Sequence, residues 1–365
     1  MKIDELKAFA YHIPLAAPLW AGPRKIAERE GYLIKLESAA GSFIGDIAPL
    51  PGMSPENLAR AAEELKTLND FARSGKLSGA FSDILRQIDE LSGARTISSS
   101  VRFGFESALC DFARCVGAES LSLPAVKEGT LLSVNGFLST DMPDVFELFE
   151  GYLRGGYRTI KIKMGRRGLD DDINFVRDII AGSGDEIRLR IDVNRLWSFK
   201  EAASFAESVN LGRIEYIEEP LSEIGRLAEL AAQTGISIAI DETLNYDGAG
   251  SLPPRFPGLV AAIVKPTLAG GVIAACRLAE KLTALEVVPV VSSSFETGVG
   301  LRTLALLAGA IHPAGVAAGL DTHRFLAETI FPIGDAFEGG NINLEKIRDA
   351  VNAECLEHLE EVILC

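Results

Sequence analysis

An ammonium buried without a partner is expensive, so lysine is rare inside apolar strands. The run "TIKIKMG", beginning at Thr159, carries two of them, Lys161 and Lys163. Alternate residues of a strand point to one face, so the two lysines share a direction and Ile162 packs the other way. Polar residues also close the apolar runs that follow. "IRLRIDVN" ends with Asp192 and Asn194, again two apart. "IEYIEEP" ends with Glu218 and Glu219, "ISIAIDE" with Asp241 and Glu242, and "AAIVKP" with Lys265 before Pro266. Sequence neighbours must split between faces, so only one acid of each adjacent pair points inward.

Each feature alone has an ordinary explanation. A single Lys-x-Lys suits a solvated edge strand, and an acid at a strand end commonly caps the next helix. Together they resist that account. Three consecutive strands end in carboxylates, with lysine-bearing strands on both sides. Converging carboxylates repel unless a cation sits among them, and an all-oxygen set suits a hard divalent ion, Mg²⁺ first. The four histidines (His12, His312, His323, His358) form no HExxH, which argues against zinc. His12 and His323 read as ordinary residues.

The lysines then become reagents. A like charge beside a lysine disfavours its charged form and lowers its pKa, making it a base near neutral pH. Lys163, nearer the strand end, is the better-placed base. Lys161 is its neighbouring charge and is within reach of a substrate carboxylate. With a carboxylate on the metal and a lysine on each face of its α-carbon, the set is suited to abstracting an α-proton.

Elements that could hold these groups recur regularly after residue 130. The strands are "LLSVNGFL", "TIKIKMG", "IRLRIDVN", "IEYIEEP", "ISIAIDE", "AAIVKP", "VVPVVSSS" and "GVAAGLDT". Amphipathic helical runs such as "MPDVFELFEGYLRGG" and "GVIAACRLAEKLTALE" separate them. Eight strands alternating with helices predict an α/β fold, a parallel β/α barrel over residues 129–330, with its active site at the C-terminal strand ends. Lys265 then lies opposite strand two. A doubly wound sheet is the alternative, weakened because no G-x-G-x-x-G follows the first strand.

Residues 1–128 read differently. "IDELKAFAYHIPL", "REGYLIKLESAAG" and "GSFIGDIAPLP" are strands, followed by three helices, the first opened by Ser54 with Glu56 and Asn57 in its first turn. Strands followed by helices predict an α+β unit. The tail, residues 331–365, is expected to return to it as a strand or loop and a helix.

The chain of 365 residues carries a formal charge of −15. That argues against nucleic acid or an anionic membrane as partner and otherwise reads as plain solubility. No apolar run is long enough to span a bilayer, and the N-terminus lacks a secretory h-region. Five scattered cysteines without CxxC spacing suggest reduced thiols in a cytoplasm, Cys110 and Cys115 as small core residues. No feature sets an oligomeric state. Trp20 and Gly22 raise the question of whether residues 16–27 form a lid.

The ordered set "KIK", "IDVN", "IEEP", "AIDE" and "VKP" resembles the enolase superfamily, in its muconate-lactonizing subgroup, over nearly the whole chain. The resemblance implies a modified (β/α)7β barrel under an α+β capping domain. It also implies Asp192, Glu218 and Asp241 as Mg²⁺ ligands, with Mn²⁺ able to substitute, and Lys163 and Lys265 as the catalytic pair, assisted by Lys161. Asn194 and Glu242 are expected to support the ligands. "GDIAPLPGMSPE", "VKPTLAGG", "VVSSSFETGVGL" and "AAGLDT" are similar to the subgroup's aromatising dehydratases. Many members have Glu where Asp46 stands. The implied reaction is syn loss of water from 2-succinyl-6-hydroxy-2,4-cyclohexadiene-1-carboxylate, a small carboxylate. Ser292, Ser293 and Gly319 resemble positions that contact the succinyl arm. Arg190, on the Asp192 face, either supports the substrate site or forms an ion pair inside the barrel. Dipeptide epimerases of the subgroup usually carry Asp-x-Asp at strand eight, and Gly319 replaces its first acid here. An N-succinylamino-acid racemase or dipeptide epimerase is the alternative function. A non-catalytic binding protein on the same barrel is a more distant one.

Overall fold

The computed structural model describes residues 2–21, 24–91, 97–115, 129–244, 252–353, 356 and 359–362. Gly22, His358, Cys355 and Cys365 lie outside them.

Three antiparallel strands open the chain: β1 (Glu5–Ala21), β2 (Arg24–Ser38) and β3 (Gly41–Ile47). Three helices follow: α1 (Leu58–Arg73), α2 (Phe81–Leu91) and α3 (Ser99–Cys115). Alternate residues Leu6, Ala8 and Leu33 are buried, and α1 turns Ala61, Leu65, Leu68 and Ala72 inward. The start of α1 differs from the sequence expectation. Asn57 is the N-cap, its side chain accepting from the Arg60 backbone N–H at 3.0 Å. Ser54 instead accepts from the Leu50 N–H at 2.8 Å and closes the preceding turn, while Glu56 accepts from Ser100 N–H at 3.0 Å. Two competing partners for the backbone thus delay the helix by one turn. Asn57→Ala is expected to cost about 1 kcal/mol in a denaturant melt. A neutral result would show that the cap bond contributes nothing.

The barrel begins after a short strand, β4 (Leu131–Ser133), and uses β5 (Gly136–Ser139), β6 (Thr159–Lys163), β7 (Arg188–Asp192), β8 (Ile214–Glu218), β9 (Ile238–Ile240), β10 (Leu259–Val264) and β11 (Val288–Val291). These seven form one parallel sheet in sequence order. Residues 316–320 act as the eighth strand, since Ala318 bridges Val134 and Gly319 bridges Ser292, both in parallel. The connecting helices are α4 (Val145–Arg154), α5 (Leu169–Ala181), α6 (Phe199–Ser208), α7 (Leu227–Thr234), α8 (Pro266–Ala269), α9 (Val272–Ala284) and α10 (Gly298–Ile311). Inside the barrel Tyr216, Ala239, Ala261, Ile263 and Val290 form a small core of their own. Outward residues such as Ile160, Ile162, Leu189, Ile191 and Ile217 join the main core under the helices. The fold is therefore a (β/α)7β barrel with an α+β capping domain.

The tail reaches the cap through a strand, while its helix stays with the barrel, packed against α10. After β12 (Phe337–Glu338), β13 (Asn341–Asn343) and α11 (Leu344–Asp349), β14 (Glu361–Val362) pairs antiparallel with β1.

Two buried polar residues join cap to barrel. Asp46 accepts from Tyr11 Oη at 3.0 Å and from both the backbone N–H and Oγ1 of Thr297, the α10 N-cap, at 2.8 Å each. A Cβ at Gly300 would sit 2.9 Å from Asp46 Oδ2, so the space beside this carboxylate is already tight. Arg29 donates to Ala48 O, Pro49 O and Phe295 O at 2.9, 2.9 and 3.3 Å. The cap hairpin also reaches the eighth strand's loop, where Leu15 bridges Leu326. Among the described residues no helix is long and apolar enough to cross a membrane. Cys110 is buried, whereas Cys115 is exposed at the end of α3, contrary to its reading as a core residue.

Candidate active site

Strand register gathers the polar residues. Lys163 is paired with Asp192, and Asp192 with Glu218, so these three stand in one row across β6, β7 and β8. Paired residues on neighbouring parallel strands point to the same face. Lys161 stands one row deeper, level with Arg190 and Tyr216. Asp241 and Lys265 follow directly on β9 and β10.

The adjacent acids split as their geometry requires. Glu218 points inward. Glu219 has φ 43° and turns beneath the strand-end loops. There its carboxylate accepts from Asp241 N–H, Thr243 N–H, Thr243 Oγ1 and Arg195 Nε at 2.6 to 2.9 Å. A non-glycine residue in the left-handed region is strained, and these bonds hold it there. Asp241 and Glu242 separate similarly. Asp241 lines the cleft, while Glu242 accepts from Asn194 Nδ2 at 2.9 Å.

Lysine ammoniums lie between the carboxylates. Lys161 Nζ donates to both oxygens of Glu218 at 2.8 and 2.7 Å and lies 2.9 Å from Asp192 Oδ2. Lys265 Nζ donates to Asp241 Oδ2. Lys163 Nζ bonds none of these acids and donates to the Trp20 carbonyl at 2.8 Å. The charges follow. Burial opposes the charge on Lys161, but Asp192 and Glu218 outweigh it and hold its pKa well above the usual range. Lys265 is raised likewise, Asp241 and Glu218 outweighing burial. Only Lys163 is lowered, first by burial and then by Lys161 and Lys265, with Asp192 opposing. The expected depression is present, and desolvation leads its causes. Asp192 is lowered because Lys161 and Lys163 outweigh burial, whereas burial and the neighbouring Asp192 push Glu218 up.

Three buried oxygens beside these groups have no hydrogen-bond partner: Asp241 Oδ1, Glu242 Oε2 and Asn194 Oδ1. An unsatisfied buried acceptor costs about 1–3 kcal/mol. An all-oxygen donor set with such atoms left over fits a hard divalent cation. Among the described residues, the group of acids and histidine whose ligand atoms all lie within 4.8 Å of one another is His12 with Glu28 and Glu30, exposed on the cap hairpin. Asp192, Glu218 and Asp241 are not drawn together to that spacing, and Lys161 Nζ sits between Asp192 and Glu218.

The cleft is partly open to solvent. Lys161, Lys163, Asp192, Asn194, Asp241, Lys265, Ser292, Ser293 and Gly319 line it. Arg190 does not. Its guanidinium lies deeper, donating to Glu215 Oε2 at 2.6 Å, Ala317 O at 2.7 Å and Asn135 Oδ1 at 3.3 Å, which is the ion-pair option. Gly319 is pressed against strand seven, where an added Cβ would meet Ser292 Oγ at 2.6 Å. Ser293 Oγ shares a hydrogen bond with Thr322 Oγ1 at 2.6 Å. Sequence reasoning passed over most of the apolar wall: Leu50, Met53, Phe137 and Phe295. Only the positive φ of Phe295, 61°, marks one of these as unusual, and no sequence signal reports it.

Residues 144–347 match the family model "Enolase C-terminal domain-like", and residues 3–112 match "MenC, N-terminal domain". The chain belongs to the enolase superfamily. Among its curated relatives is the o-succinylbenzoate synthase of Aliivibrio salmonicida, 31% identical over 87% of this chain and 89% of that one. The fold is shared more widely. A muconate lactonizing enzyme from Pseudomonas fluorescens, complexed with muconolactone, superposes with TM-score 0.77 at 19% identity, covering 98% of this chain and 99% of that one. A dipeptide epimerase from Cytophaga hutchinsonii, complexed with Mg and a dipeptide, superposes with TM-score 0.77 at 17% identity, covering 99% of each.

Proposed function

We infer that the chain carries o-succinylbenzoate synthase activity, dehydrating 2-succinyl-6-hydroxy-2,4-cyclohexadiene-1-carboxylate to 2-succinylbenzoate in menaquinone synthesis. The observation that carries this is the whole-length likeness to curated synthases, matched by lysines on opposite barrel strands lining one carboxylate-floored cleft. Residues 129–330 supply the catalytic barrel, and residues 1–128 with 331–365 supply the cap.

Asp192, Glu218 and Asp241 would hold Mg²⁺, with Mn²⁺ able to replace it and Asn194 and Glu242 supporting them. When bound, the ion supplies positive charge beside the substrate carboxylate and so acidifies the proton on the adjacent carbon. Lys163, in its neutral form, takes that proton on Nζ. The resulting ammonium returns it to the departing hydroxyl on the same face as the carbon–oxygen bond breaks, releasing water and leaving an aromatic ring. Lys265, held charged by Asp241, faces the other side and stabilises negative charge. Lys161 holds Asp192 and Glu218 and supplies charge beside the substrate carboxylate.

Neutral groups receive the succinyl arm. Among the described residues lining the cleft there is no arginine, and Ser292, Ser293 and Gly319 stand at the seventh and eighth strands. A product-bound crystal structure is expected to show the succinyl carboxylate on hydroxyls, backbone N–H groups and water. A guanidinium clamped on it would refute this. Gly319 also speaks against a dipeptide substrate, because no carboxylate stands at that position to pair with its ammonium.

The lysines on both faces also suit racemisation of N-succinylamino acids as a second activity. The acidic chain, at −15, disfavours nucleic acid, and a cytoplasmic setting fits its cysteine usage. Expression in cells lacking the synthase step tests the main reading. Restored menaquinone is the expected result, and continued absence despite soluble protein would overturn it.

A further inference from the structure

Lys163 differs from its neighbours in what holds it. Lys161 and Lys265 are fixed by barrel carboxylates, but the Lys163 bond runs to the backbone carbonyl of Trp20, 143 residues away on the cap hairpin. That carbonyl is near the hairpin tip. The β1–β2 register is irregular between Pro14 and Leu19, and only Leu19, Trp20 and Ala21 pair beyond it, with Ile26, Lys25 and Arg24. So short a ladder gives the tip little purchase of its own.

A side chain from the barrel reaches it. The Arg166 guanidinium lies over the Trp20 ring, 3.7 Å from its centroid. Arg166 is three residues after Lys163, on the turn leaving β6. The same turn therefore presents the base and the group that grips the base's partner. The turn is itself fixed. Gly165 has φ +94°, and its N–H donates to Asp172 Oδ2 in the first turn of α5 at 2.9 Å. Val193 Cγ1 and Leu196 Cβ lie 3.1 and 3.2 Å from where a Cβ at Gly165 would stand, leaving the turn no room to shift that way.

We propose that Arg166 is a positioning residue that, by stacking on Trp20, holds the Trp20 carbonyl on Lys163 and so aims the amine at the substrate. Trp20 is also part of the cleft wall, so the clasp bears on both the base and the wall beside it. This rests on Lys163 being the base, but the clasp is readable without turnover. Two tryptophans are present, and Trp197 is buried just before α6, against Phe205, so added quenching reports Trp20.

The test compares Arg166→Ala and Arg166→Lys with the full-length parent, both in acrylamide quenching of tryptophan fluorescence and in magnesium-loaded turnover. The expected result for Arg166→Ala is greater quenching, an unchanged melting temperature and kcat reduced roughly tenfold, with a smaller change in KM. Arg166→Lys, which keeps a cation over the ring, should recover part of both signals. Wild-type quenching in Arg166→Ala would overturn the proposal, whether or not kcat falls. So would wild-type kcat beside raised quenching. If the parent itself fails to aromatise the substrate, the assignment of the reaction fails, and quenching still decides the clasp.

Discussion

Lys163→Ala should lose turnover by at least about 10²–10⁴-fold, the usual span for removing a general acid–base. Exchange of the α-proton with solvent should stop as well, since the single-base dehydration places no other acceptor on that face. Deuterium incorporation followed by mass spectrometry, at equal metal loading, checks it. Exchange near the parent rate would put the base on another strand. Lys265→Ala should also be severely impaired in dehydration, through lost charge stabilisation. With an N-succinylamino acid it should keep exchange for one enantiomer only, because each lysine would serve one face. Lys161→Ala tests the pKa argument. Turnover requires neutral Lys163, so activity rises with pH through the Lys163 pKa. Removing the Lys161 charge, and releasing Asp192 and Glu218 from it, raises that pKa. The rising limb should therefore move to higher pH. An unmoved limb would show that burial alone sets the base.

Asp241→Asn should weaken Mg²⁺ binding by at least about 10–100-fold, the range lost even when groups behind a metal ligand are changed. A neutral amide is a poorer donor to a hard cation than a carboxylate. Calorimetric titration of metal-stripped protein measures this without turnover. Chelation should abolish activity in the parent, and added Mg²⁺ or Mn²⁺ should restore it. The variant also frees Lys265 from its acid, so its activity should fall further than occupancy of the metal explains. Undiminished affinity would make Glu242, whose Oε2 is buried and unpartnered, the acid that faces the metal.

Much of this site was legible because barrel strands carry it in order. Period-two spacing put Lys161 with Lys163 and Asp192 with Asn194. The parallel register then aligned Lys163, Asp192 and Glu218 without any contribution from loops. Other features depend on tertiary choices that spacing cannot express. Asn57 and Ser54 both look like helix caps, and only the turn at Leu50 decides between them. Arg190 shares the Asp192 face but stands two residues deeper, where Glu215 and the Ala317 carbonyl engage it. A period-two argument gives the face and not the depth. The like-charge argument for Lys163 found the direction of its shift and understated burial, which depends on the cap covering the barrel mouth. Trp20 and Arg166 are far apart in sequence and carry no shared motif, so their contact could be found only in the folded chain.

Dehydration of a cyclohexadiene carboxylate in this cleft makes an aromatic ring, and aromatisation can be watched directly. Purified protein with Mg²⁺ is mixed with 2-succinyl-6-hydroxy-2,4-cyclohexadiene-1-carboxylate and followed in the ultraviolet, beside a panel of N-succinylamino acids followed by polarimetry. The expected result is rapid metal-dependent formation of 2-succinylbenzoate, at a higher kcat/KM than any racemisation. No aromatisation above the uncatalysed rate, with efficient racemisation of an N-succinylamino acid, would contradict it.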